Sequence, residues 1–200
     1  MLNLKLTDEI RNYAWRQVSI KNFAQRSVGF NGNKIEQYTG IIGECIIYKL
    51  LNRGLPNYDN GSLIEDILIN NKKVDIKSMG RKSDIKDFYA HNVSAYQKDR
   101  PNDVYLFNSV NKNTGTVQIC GWLSKEDFFK KAILKQKGDG RPRSDGTTMM
   151  LKSPNYEVQN KQLNQINSVE DIKNIWNITT LTSILKLLEQ RSTVNDTMIL

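Results

Sequence analysis

Histidine occurs once in this chain, at position 91, and cysteine twice, at positions 45 and 120. One histidine excludes multi-histidine zinc centres and histidine-pair nucleases within a single chain. Ser-His or Cys-His catalysis would have to run through His91. Cys45 and Cys120 are too few and too far apart for a cysteine-rich metal knuckle. They read as small apolar core residues of a protein from a reducing compartment. No apolar run approaches the ~20 residues that span a bilayer. The opening stretch has acids by Asp8 and no apolar segment, unlike a secretory signal. A soluble, cytoplasmic protein is expected. Neither a Gly-x-x-x-x-Gly-Lys loop nor a Gly-x-Gly-x-x-Gly turn after a strand is present, which argues against a nucleotide-binding enzyme.

Positive charge is in surplus. Lys and Arg number 29 against 21 Asp and Glu, giving a net charge of +8 and an isoelectric point near 9.4. Such a cation favours a polyanionic partner through phosphate contacts and counterion release. An Asn-, Lys- and Ile-rich composition is also what AT-rich coding would give, and such a bias would inflate lysine and weaken the charge argument. Hydrophobic residues make up 38% of the 200, enough for a core. One domain is expected, divided into an N-terminal helical extension (1–33), a core (34–137) and a C-terminal basic loop with helices packed on it (138–200).

Thr7 caps a helix running to about Phe23, with Ile10, Tyr13, Ala14 and Val18 on one face. A second helix spans about Lys34 to Arg53, with apolar residues from Ile35 to Leu50 at spacings of three and four. Gly54 and Pro56 stop it. Asp66–Asn70 and Lys72–Ser78 read as a hairpin turning at Asn70-Asn71, since asparagine tolerates the left-handed conformation. Strands follow near 88–93, 103–110 and 116–122. Ser124 with Asp127 opens a helix to about Lys137. A flexible loop (138–148), a helix capped at Ser168 and a helix over Ile178–Leu188 complete the reading, with disorder expected from Arg191. The order of elements predicts an α/β fold, a central mixed sheet flanked by helices.

The hairpin carries the chemistry. With Asn70-Asn71 as the turn, Ile67 faces Val74 and Asp66 faces Asp75. Residues alternate faces, so Ile67, Ile69, Val74 and Ile76 share one face, and Asp66, Asp75 and Lys77 the other. Two opposed carboxylates repel and gain nothing structurally. A hard divalent cation removes the conflict and leaves positions for water and a phosphate oxygen. Lys77 on that face would hold an attacking water and offset phosphate charge. Asp-Ile-Lys also occurs at 84–86 and 171–173, the first in a charged stretch and the second at a helix start, where acids favour the dipole. Only Asp75-Ile76-Lys77 lies on a predicted strand with an acid facing it.

A helix with Gly43-Glu44, then Asp66, then Asp75-Ile76-Lys77 resembles the PD-(D/E)xK nuclease superfamily, over roughly residues 34–122. The resemblance implies a restriction-endonuclease-like core, Glu44, Asp66, Asp75 and Lys77 as catalytic residues, and Mg²⁺ or Mn²⁺ held by Glu44, Asp66, Asp75 and the carbonyl of Ile76. Glu65 stands where many members carry proline, and is a rival ligand. Glu44 competes with the reading of a surface glutamate, with Glu36 as the fallback. Gly40 and Gly43, one turn apart, let the sheet approach the helix. Gln97 and Lys98 resemble residues that some branches place near the scissile phosphate, and His91 reads as an ordinary hydrogen-bonded histidine.

Arg81, Lys82, Lys86, Lys98, Arg141 and Arg143 are the candidate nucleic-acid contacts, with Lys130, Lys131, Lys135 and Lys137 lining the preceding helix. Trp15, Trp122 and Trp176 suit core packing better than base stacking. The expectation is a metal-dependent nuclease, most simply a DNA endonuclease, with a homodimer as one way to cut two strands. The alternative is a non-catalytic nucleic-acid-binding protein with a nuclease-like fold.

Overall fold

Thr7 and Asn33 start the two long helices. Thr7 Oγ1 accepts the N–H of Ile10 at 3.4 Å, opening α1 (Asp8–Ile20). Asn33 exchanges bonds with Glu36, 3.0 Å from the Glu36 N–H and 2.8 Å back to its own. This capping box opens α2 (Lys34–Leu50). Glu36 is therefore committed to the helix cap and is exposed at the far end of α2. A computed structural model describes residues 1–21, 33–59, 66–142 and 146–176. The expected helix over 178–188, the disorder from Arg191, and the calls on Phe23, Glu65 and Arg143 lie outside these residues.

The protein is a mixed α/β fold. Before α1 runs β1 (Leu2–Lys5), and after α2 come β2 (Ile67–Ile69) and β3 (Lys72–Arg81). Then follow β4 (Ala90–Ser94), β5 (Val104–Asn111) and β6 (Thr116–Ser124). The main sheet is ordered β1-β6-β5-β3-β2, and β3 and β5 are parallel. The N-terminal stretch is thus more than a helical extension: β1 forms the sheet's edge against β6.

The Ser124 cap holds α3 (Lys125–Lys131), shorter than the expected helix to Lys137. Ala132 turns extended, and Ile133–Lys135 forms β7. The segment expected as a loop holds a short ribbon, β8 (Gly140–Pro142) with β9 (Thr148–Met150). β10 (Asn155–Gln159) joins β4 and β7 in a second sheet. β11 (Asn164–Gln165) continues the β6 edge. α4 (Val169–Lys173) is capped by Ser168 as expected.

Both faces of β5 are buried along its full length. On one face Ile42, Cys45 and Ile46 of α2 pack on Val74, Ile76 and Leu106 in the main core. On the other, Tyr105 and Phe107 pack with Cys120, Phe128 and Val158. Cys45 and Cys120 are free, buried thiols, one in each cluster. Among the described residues no helix is long and apolar enough to cross a membrane.

Candidate active site

Asn70 and Asn71 take φ of +49° and +59°. That left-handed pair makes a two-residue turn whose twist suits a hairpin. Ile67 pairs with Val74, Leu68 with Lys73 and Ile69 with Lys72, the expected register. β2 reaches no further than Val74 along β3, whose ladder continues to Arg81 against β5 alone. The β3 edge from Asp75 onward is therefore open to side chains.

Three elements deliver side chains to that edge. Asp66, just before β2, accepts the N–H of Ile76 on Oδ2 at 2.6 Å. Tyr48 of α2 fixes its backbone by donating to the Asp66 carbonyl at 2.9 Å. On β3, Lys77 Nζ lies 2.5 Å from Asp75 Oδ1, with both side chains largely buried. Asp75 Oδ2 is buried with no hydrogen-bond partner.

Glu44 comes from α2. A Cβ on neighbouring Gly43 would stand 1.8 Å from Ser78 Oγ and 2.9 Å from Asn108 Nδ2. Only glycine lets the helix sit this close to β3 and β5. Gly40 has open space around it, so the close approach belongs to Gly43 alone. Glu44 is half-buried, and its Oε2 accepts the hydroxyl of Tyr58 at 2.5 Å.

The acids feel one another. Burial, then repulsion from Asp75, pushes the Glu44 carboxyl up to about 7, against the pull of the Tyr58 bond and Lys77. Asp66 is raised well above the usual carboxylate range by burial, then by Glu44 and Asp75, with Lys77 opposing. Glu44, Asp66, Asp75 and Lys77 therefore form one electrostatic unit. Among the described residues no three acids stand in ready coordination. Each carboxylate instead has an oxygen held by Tyr58, the Ile76 N–H or Lys77. The unpartnered Asp75 oxygen, electrostatically coupled to the Glu44 and Asp66 carboxylates, is the kind of hard oxygen donor that Mg²⁺ or Mn²⁺ takes. Ile76 buries its side chain in the main core.

The other expected contacts divide. Gln97 is buried in a 3₁₀ turn (Ala95–Gln97), and its amide donates to the Tyr96 hydroxyl at 3.4 Å. No hydrogen bond among the described residues joins it to the carboxylates. His91 is fully buried against Asn160 and Phe107, and burial, then Arg81, pulls its pKa down to about 3. That leaves it neutral and structural.

Arg81 makes two contacts within the fold: it donates to the Ala90 carbonyl at 2.6 Å and lies over the Tyr89 ring. Arg141 is held by Glu157. Both are among the expected nucleic-acid contacts, and in the fold their guanidiniums bond to the second sheet. Lys82 and Lys86 are exposed. Lys98 is exposed, with its ammonium 5.8 Å from the Phe129 ring. Lys130 pairs with Glu126 at 2.6 Å. Trp122 is in the core, as expected, whereas Trp15 is half exposed against Tyr38.

Sequence reasoning missed Tyr58 and Tyr48. The only signal at Tyr58 is a single large ring in the polar loop after α2. No protein family, curated protein or solved structure matches the chain.

Proposed function

We propose that this protein is a divalent-cation-dependent nuclease with a restriction-endonuclease-like core of the PD-(D/E)xK kind, acting on DNA as an endonuclease. One observation carries the reading: Glu44, Asp66 and Asp75, from three separate elements, interact around the open β3 edge with Lys77 at the same place. A fold gains nothing by bringing three mutually repelling carboxylates together, one of them buried and two partly so. Binding a cation turns that repulsion into attraction.

Glu44, Asp66, Asp75 and the Ile76 carbonyl are the proposed ligands. A bound Mg²⁺ or Mn²⁺ polarises a phosphoryl oxygen and acidifies water. Lys77 spans the remaining role. Its ammonium, held by Asp75, is positioned to orient an attacking water and to offset charge developing on the phosphate. Tyr58 and the Ile76 N–H orient Glu44 and Asp66 by holding one oxygen of each. Exposed Lys82 and Lys86, beyond the end of β3, are the proposed phosphate contacts.

The test is cleavage of a supercoiled plasmid with Mg²⁺ by wild type, Asp75→Ala and Lys77→Ala. Mg²⁺-dependent nicking lost in both variants supports the reading. Activity that survives both changes overturns it, and salt-dependent binding without turnover by the wild type favours the non-catalytic alternative.

A further inference from the structure

The sheet face that meets α2 is built of apolar rows, and one polar pair interrupts them. On β5, Val104, Leu106 and Val110 belong to the main core, and on β3 so do Val74 and Ile76. Strand alternation puts Asn108 and Ser78 in the same two rows, and the parallel register makes them neighbours. Asn108 is fully buried. A valine there would complete its row, and burying an amide instead costs stability unless its bonds are made. They are only partly made. Asn108 Nδ2 donates to the Gly43 carbonyl at 3.5 Å, while its Oδ1 and the Ser78 hydroxyl oxygen are buried with no partner.

Both polar side chains close on one point of α2. A Cβ on Gly43 would meet Ser78 Oγ and Asn108 Nδ2 before any other atom of a different residue. Gly43 lies inside α2, where its carbonyl already accepts a helical hydrogen bond. The Asn108 amide is therefore an added tie that secondary structure does not require. It grips the residue just before Glu44, the one acid of the three that a helix delivers. The hairpin register fixes Asp66 against Asp75 but leaves the distance of Glu44 from both unset. The β5–β6 ladder also changes register here: Phe107 pairs with Gly121 and Asn108 with Ile119, leaving Cys120 as the extra residue of a bulge. Bulges re-aim side chains and are common beside active sites.

We infer that Asn108 is a positioning residue for Glu44: by tying the Gly43 carbonyl to β5, it sets how close the helix acid stands to Asp66 and Asp75. This role rests on the cation site proposed above and adds to it a residue that touches neither cation nor substrate. Removing a group that holds a metal ligand in place typically weakens metal binding 10–100-fold.

A double-mutant cycle tests it, with Mn²⁺ binding measured by isothermal calorimetry in wild type, Asn108→Val, Glu44→Gln and the double variant, and a thermal melt of each in chelator. Asn108→Val is expected to keep or raise the Tm, because valine completes the apolar row, and to weaken Mn²⁺ binding about tenfold. The two losses should not multiply. In the Glu44→Gln background Asn108→Val weakens binding no further, because the carboxylate it positions is gone. Asn108→Ser, too short to reach Gly43, should lose the same factor and is the variant to read if the valine protein does not fold. Unchanged affinity in the single variant, or losses that multiply in the double one, overturns the role of Asn108. If wild type binds Mn²⁺ with that result, the cation site stands without it. If wild type binds no Mn²⁺, the cation site falls and the positioning role falls with it.

Discussion

Ile76 donates its backbone N–H to Oδ2 of Asp66 at 2.6 Å. In an uninterrupted hairpin that N–H would meet a carbonyl of the facing strand. Here a carboxylate takes its place. The hairpin therefore ends at Ile67–Val74, and the first unpaired step of β3 is also where Asp75 and Lys77 begin. One hydrogen bond both satisfies the sheet edge and fixes an acid beside two others.

Tyr58 holds Glu44 through its hydroxyl. Partners of this kind typically matter 10–100-fold for metal affinity. Tyr58→Phe is expected to weaken Mn²⁺ binding by about tenfold while retaining the wild-type circular dichroism spectrum. Isothermal titration checks this, and unchanged affinity would remove Tyr58 from the site.

The raised Glu44 carboxyl makes stability depend on pH. Its pKa is about 7 in the folded protein, above the ordinary value of 4.5, so the folded state binds the extra proton. This contribution is fully present below the unfolded value and is lost as pH rises through 7. Without divalent cations, the Tm should fall between pH 5 and pH 7.5. Glu44→Gln should flatten that fall, and excess Mg²⁺ should raise the Tm at the upper end. Thermal melts in chelator across this range provide the measurement.

Gly43→Ala should destabilise the fold by about 1–3 kcal/mol, because the added methyl meets Ser78 Oγ and Asn108 in a packed interface. Gly40→Ala, with open space at the same helix, should be neutral or stabilising. Chemical denaturation of the two variants separates the close approach from general helix propensity.

The two classes of basic residue should part in a salt titration of DNA binding. Lys82→Ala should lower the slope of log K against log salt by about one, as expected for a lost phosphate contact. Arg141→Ala should leave the slope unchanged and lower the Tm, because its guanidinium is spent on Glu157.

Local chemistry made part of this legible from sequence. The Asn70-Asn71 turn fixes the register through backbone conformation, and the register fixes which face Asp66 and Asp75 occupy. The Ser124 and Ser168 caps and the two long helices were equally local. What stayed hidden depends on distant partners. Ile133–Lys135 reads as helix by periodicity but pairs with β10. β1 closes the sheet from the far end of the chain. Arg81 and Arg141 look like surface charge until the Ala90 carbonyl and Glu157 are seen beside them. Tyr58 belongs to no pattern, and only the fold brings it to Glu44. Gln97, drawn in by resemblance, bonds to Tyr96 instead.

The most direct measurement is Mn²⁺ titration of wild type, Asp75→Asn and Asp66→Asn by isothermal calorimetry. A shared cation site predicts saturable binding in the wild type, weakened at least tenfold by either substitution. Affinity that is unchanged in both variants would contradict a cation held between these carboxylates.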